Sequence, residues 1–275
     1  MLRSTTMKIM LLGALVTMAA CDFAGTRPIG ADEGEPTGNQ NQDSTKQRND
    51  VKIVSASGDI TGAVNEYRTL LGALNPNVAG EQPGGRREVN WDGVPATFTD
   101  NDAFPGGFFN ANSPRGLLLT TDGSGFRVSS NGYTDVNPAY FGEFSTFSPA
   151  KLFVARGSTT IDIHFFVAGS TTPALVDGFG SVFADVGRAQ STLIEYFDAN
   201  GYRLLRLAAP RGTDANGLSF IGAKFDSLVV ARVRITVGDV PLDAATVDNV
   251  KQTGPKLDLV ATDDFIYGEP RAPRP

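Results

Sequence analysis

One cysteine, one histidine and one tryptophan are present in 275 residues. With Cys21 alone, no disulfide can close within a single chain. With His164 alone, zinc sites built from several histidines are excluded, and at most one Ser-His-Asp arrangement is left. No G-x-S-x-G elbow is present to supply its nucleophile. His164 falls mid-strand on the face opposite the apolar one, beside Asp162 and Phe166, which suits a surface or packing histidine better than a general base. The apolar run from Ile9 to Ala20 is too short to cross a bilayer as a helix. Positive charge is also scarce: 24 Lys and Arg stand against 30 Asp and Glu, a net charge of -6. Such a chain has no electrostatic reason to seek nucleic acid or anionic headgroups.

What the first residues do contain is an address. Arg3 and Lys8 give a basic start, the apolar run follows, and it ends in Met18-Ala19-Ala20-Cys21, the pattern of a secretory signal. Met7-Lys8 would also serve as a start. Ala19-Ala20-Cys21 resembles a bacterial lipobox, with Met18 where Leu is usual. That resemblance implies that residues 1–20 are removed and that Cys21 becomes the lipid-bearing first residue. A buried core thiol or a reactive one is the other reading of a lone cysteine. Losing Arg3 and Lys8, and no acid, takes the formal charge from -6 to -8. More than one acyl chain on Cys21 holds a protein firmly at a membrane surface without a spanning helix. The expected location is therefore the cell envelope, lipid-anchored to a bacterial membrane. Asp22 matches a retention signal for the inner membrane in some Gram-negative bacteria, and the sorting stays open.

Residues 21–50 read as a disordered tether, since almost nothing apolar follows Ile29. At roughly 5–6 Å times the square root of its length, it reaches about 30 Å from the membrane. Residues 51–85 read as a short helix and loop that pack on the domain after them. Ile60, Val64, Tyr67, Leu71 and Leu74 form an apolar stripe over 59–74, weakened by Gly62 and Gly72 and stopped at Asn75-Pro76. From residue 86 to 271 strand patterns dominate. Ile161, Ile163 and Phe165 alternate with polar residues, and so do Val229, Ala231, Val233, Ile235 and Val237. Such alternation marks antiparallel strands with one face on a core. Further strands are expected at 87–91, 116–121, 125–129, 151–155, 176–185, 192–198, 203–208, 218–225 and 257–267. Turns at Thr121-Asp122-Gly123, Asp198-Ala199-Asn200-Gly201 and Asp214-Ala215-Asn216-Gly217 punctuate them. The 31 glycines, 16 prolines and 18 phenylalanines fit many short strands joined tightly. The fold expected is all-β, an antiparallel β-sandwich of jelly-roll type with one short N-terminal helix, followed by a tail at 272–275.

Chemistry, if any, gathers on carboxylates. Asn90 and Asp92 open the β region, and Asp263 and Asp264 nearly close it. First and last strands of a jelly roll often run side by side, which would bring these oxygens together. Clustered hard oxygens repel unless a cation neutralises them, and calcium accepts six to eight. The alternative is that these aspartates start turns or cap backbone N–H groups. Among the aromatics, Trp91, Phe108, Phe109, Tyr133, Tyr140, Phe141, Phe144 and Phe147 crowd the first half, several in Gly/Asn/Ser-rich loops. Tyr133, Tyr140 and Phe141 in the 131–147 loop are candidates for stacking on a sugar. Such rings also serve as core plugs, Trp91 above all.

The stretch Arg86 to Pro95, the segment Ser191 to Gly201 and the closing Asp263-Asp264-Phe265-Ile266-Tyr267-Gly268-Glu269-Pro270 resemble a group of uncharacterised secreted bacterial proteins, over most of residues 57–271. The terminal Asp-Asp-Phe is similar to the last strand of MAM-type and carbohydrate-binding jelly-roll modules. That likeness implies the fold and a structural calcium shared with the first strand, but no substrate. Three functions remain: a non-catalytic module binding glycan or another surface ligand, a structural or adhesive envelope protein, and a jelly-roll glycoside hydrolase or lyase. The last needs two carboxylates facing each other across a cleft, one with a raised pKa, drawn from residues such as Glu143, Asp162 and Glu195.

Overall fold

A computed structural model describes residues 50–212, 217–246 and 257–274. The expected signal segment, Cys21, the expected tether up to residue 49 and most of the turn expected at 214–217 lie outside the described residues. Among the described residues, all strand pairs within the two sheets are antiparallel. The larger sheet runs in the order β1 (Val51–Ser57), β10 (Leu218–Phe225), β7 (Gly178–Ala184), β12 (Ala261–Gly268), β5 (Leu152–Arg156), β4 (Gly125–Ser129). A short β2 (Arg86–Val89) also pairs with β12. The smaller sheet runs β3 (Leu117–Thr120), β6 (Thr160–Phe165), β11 (Arg232–Thr236), β8 (Leu193–Phe197), β9 (Arg203–Ala208). From β5 to β12 the chain passes between the sheets so that β5-β12-β7-β10 faces β6-β11-β8-β9. This is the jelly-roll order, with β5 and β12, the first and last of these eight strands, side by side.

The alternating strands behave as their pattern requires. Ile161, Ile163 and Phe165 of β6 and Val233 and Ile235 of β11 point into the main core. Their outer face is polar and laddered: Arg234 stands opposite Asp162 and Glu195, and Glu195 opposite Arg206. Cross-strand pairs of opposite charge stabilise by roughly 0.2–1 kcal/mol each. His164 belongs to this face. It lies opposite Arg232, and its half-buried imidazole is drawn below its ordinary pKa by burial.

The larger sheet is covered on both sides, so β7 and β12 are buried along their whole length. Helix α1 (Thr61–Leu71) covers one part of its outer face, with Val64, Tyr67 and Leu71 packed on Val182, Phe220 and Ile266. Loop 131–147 covers another, packing Tyr133 and Tyr140 against Leu152, Val154 and Ala261. A strand at Val51–Ser57 was not expected from the sequence; it adds an edge to β10 through seven residue pairs.

Tyr67 shows why three glycines stand in β7 and β10. Its hydroxyl donates to the Ala223 carbonyl at 2.8 Å, so the ring must lie almost flat on the sheet. A Cβ on Gly222 would sit 2.9 Å from Tyr67 Cζ and 3.0 Å from the Gly180 Cα. Gly222→Ala is therefore expected to cost about 1–3 kcal/mol by overpacking, a fall in Tm of about 5 °C for a domain of this size. Thermal unfolding checks it, and an unchanged Tm would mean that the helix can lift without loss.

Candidate functional site

Two short strands share one side of β12. Val89 of β2 pairs with Phe265, Phe153 of β5 pairs with Thr262, and Asp263 and Asp264 fall between these pairs. On the other side, Thr262 pairs with Phe183 and Phe265 with Ser181, so both aspartates stand against the single residue Val182. This is a β-bulge, which bends the strand and re-aims side chains. It explains how neighbouring acids, which would alternate in a regular strand, come to hydrogen-bond one another.

The gap between β2 and β5 is filled by Trp91. Its backbone takes φ 62°, an unusual conformation for a bulky residue, and the turn thereby drives the indole inward. The ring stacks on Phe153 at 3.9 Å and 4°, and its Nε1 donates to the Asp263 carbonyl at 2.6 Å. The core plug thus ties the turn at 90–93 to the bulge.

Loop 147–151 closes the cluster. The Asp263 carboxylate accepts from the Phe147 amide at 2.6 Å and from Ser148 Oγ at 3.0 Å. The Ser148 hydroxyl also reaches the Asn90 carbonyl at 3.3 Å, and its nearness works against the upward shifts of Asp92 and Asp264. The four residues expected to meet, Asn90, Asp92, Asp263 and Asp264, are brought together around this one hydroxyl, which nothing in the sequence marked. Arg68 of α1 was equally unmarked. It forks Glu88 at 3.0 and 2.8 Å and stands 3.5 Å from Asp264 Oδ2.

Burial, then the charge of Asp264, pushes the Asp263 carboxyl up to about 8, and burial also raises Asp264 and Asp92. Opposing the cost of its own burial, Arg68 and Arg86 hold Glu88 below the usual range. Asp264 Oδ1 is buried and receives no hydrogen bond from the described residues. The upward shift of Asp263 favours its protonated form at neutral pH, and that form can donate to this oxygen.

Positive charge is already in place where calcium was expected. The Lys151 ammonium donates to the carbonyls of Asp92 at 3.0 Å and Val94 at 2.6 Å, and its amide donates to Asp92 Oδ1 at 3.2 Å. Among the described residues, no group of three or more acidic, His or Cys side chains converges to hold a metal. The arrangement does not fit a calcium cage. Adding calcium to about 10 mM after chelation is accordingly expected to leave the Tm unchanged. A rise of about 5–10 °C, lost in Asp264→Asn, would instead establish a bound ion.

The aromatic candidates divide. Tyr133 and Tyr140 are 0% and 2% exposed, and the Tyr140 hydroxyl reaches the carbonyls of Asp243 and Thr246 at 2.7 and 2.8 Å. Their rings cover the larger sheet and are closed to a sugar, which corrects the expectation of stacking there. Phe141 is 86% exposed. Cavities of about 190 and 390 Å³ lie elsewhere, one beside Asn90 and Arg115, the other between His164 and Arg232.

No protein-family model, curated protein or solved structure matches this chain.

Proposed function

We propose that the protein is a lipid-anchored module of a bacterial cell envelope, held through Cys21, whose sandwich binds a glycan or another surface ligand without performing chemistry on it. The observation that favours binding over hydrolysis is the placement of the carboxyl groups. A glycosidase needs two of them separated by about 5–9.5 Å across a cleft. Asp263 and Asp264 hydrogen-bond each other and are 0% and 2% exposed. Asp162 is gripped by Arg232 and Arg234, which despite its partial burial keep it ionised and unsuited to donate a proton. Glu195 is paired with Arg203 at 2.6 Å.

Two measurements bear on the two halves of this reading. Cells given radioactive palmitate should label the wild-type protein and not Cys21→Ser, and equal labelling of both would remove the anchor. The immobilised protein should retain envelope polysaccharide or cell-wall fragments and leave their chain length unchanged. Shortened chains would return the protein to the hydrolases or lyases, and retention of nothing but a protein partner would favour an adhesive role.

A further inference from the structure

Beside the turn at 90–94 lies a cavity of about 190 Å³, walled by Trp91, Phe108 and Phe109 and rimmed by Asn90, Asn112 and Arg115. A cavity of roughly 150 Å³ holds a benzene ring, so this one has room for a six-membered ring with a substituent. Its distinguishing group is Arg115. The Nε donates to the Glu88 carbonyl at 3.0 Å, Nη1 donates to Ser113 Oγ, and the guanidinium lies 5.1 Å from the centre of the Phe109 ring. Arg68, Arg86, Arg87, Arg127 and Arg156 each reach a carboxylate. Arg115 reaches none among the described residues, although it is half-buried. The carbonyl, the hydroxyl and the ring offset part of the cost of withdrawing this arginine from water, but none of them neutralises its charge, and the Nη1–Nη2 edge of its planar fork matches a carboxylate in two hydrogen bonds.

We propose that this cavity binds a carboxylate carried on a six-membered ring, the acidic sugar of a uronate-containing glycan. Arg115 takes the carboxylate and the amides of Asn90 and Asn112 take ring hydroxyls, while Trp91, Phe108 and Phe109, at 0%, 8% and 4% exposed, form the closed floor beneath them. The proposal rests on the glycan-binding reading and narrows it to one class of sugar.

The test uses Trp91, the only tryptophan in the chain, whose fluorescence reports on the cavity it lines. The purified full-length protein in detergent is titrated with glucuronate and galacturonate, with glucose and galactose as neutral controls. The uronates are expected to give a saturable change with a Kd on the order of 1 mM, the usual affinity for a ligand of this size. The neutral sugars are expected to give none at the same concentrations. Arg115→Gln should weaken uronate binding tenfold or more. Asn112→Asp sets a negative charge at an exposed position on the rim, and should weaken it similarly without altering thermal unfolding. The proposal is overturned by equal binding of neutral sugars, by undiminished affinity in Asn112→Asp, or by no uronate response up to about 20 mM. If intact polysaccharide is retained while Trp91 ignores uronates, glycan binding stands and this cavity falls. If neither is bound, both fall.

Discussion

Arg87→Met is expected to lower the stability of the domain by about 3–5 kcal/mol, the usual cost of removing one partner from a buried ion pair. Arg87 is 0% exposed and forks the Glu269 carboxylate at 2.6 and 2.7 Å. Its Nη1 also donates to the carbonyls of Pro76 at 2.8 Å and Pro114 at 2.9 Å. Glu269 in turn receives the Gln82 amide at 3.0 Å and Asn75 Nδ2 at 2.8 Å. One guanidinium and one carboxylate therefore hold loop 72–85 and the stretch after β12 to the sheet. Methionine fills the space of the stem but leaves a buried carboxylate with no counter-charge and takes a donor from the carbonyls of Pro114 and Pro76, the latter keeping the Val78 amide at 2.9 Å. At about 2–4 °C per kcal/mol, the fall in Tm should be about 10–15 °C. Arg87→Met combined with Glu269→Leu should lose less than the two single changes together, because the stranded charge is gone. A single variant within about 1 kcal/mol of wild type would mean that the pair is solvated in solution.

Raising the pH from about 4 to 8 should destabilise the wild-type protein through Asp263, and Asp263→Asn should abolish that part of the loss. The native carboxyl titrates near 8, whereas an unfolded aspartate titrates near 3.9. Between those values the native state binds the extra proton, so stability falls as pH rises, by roughly 1.4 kcal/mol per unit for one proton, and levels off above the native pKa. Below the unfolded pKa the contribution is complete. An asparagine amide in place of the protonated carboxyl donates to the otherwise orphaned Asp264 Oδ1 at every pH. Urea midpoints of the two proteins at pH 5, 7 and 9 should therefore diverge, with the variant relatively more stable as pH rises. Parallel profiles would mean that the pair carries no shared proton.

These two sites were legible in the sequence to very different degrees. The sheets were readable wherever one face is wet: Ile161, Ile163 and Phe165 alternate with charged or half-buried partners because water touches the other side. In β7 and β12, covered on both faces, alternation disappears, and those strands could be read only as apolar runs between turns. Val51–Ser57 escaped notice because the strand it pairs with lies some 170 residues away in sequence. Residues 131–147 looked open to solvent from their Gly, Asn and Ser content. The larger sheet needed cover on its outer face, and Tyr133 and Tyr140 provide it. Asn90, Asp92, Asp263 and Asp264 could be brought together from jelly-roll topology, but a bulge is a property of pairing, and the turn that buries Trp91 is a property of one dihedral angle. Ser148, Lys151 and Arg68 join the cluster from loops and a helix whose positions no local pattern encodes, and Arg87 looked like any arginine near a strand start.

The edge position of β1 decides how the domain meets mechanical load. A pull entering through residue 50 acts first on a strand with a single neighbour among the described residues, joined to β10 by seven residue pairs from Val51 to Ser57. Directed along the strand, the force is shared by the whole ladder at once. Directed across it, the pairs open singly from Val51 like a zip. Helix α1, pressed into its glycine trough by Tyr67, is the next latch. Resistance to such a pull is then a matter of how fast that ladder parts, not of the total stability of the sandwich.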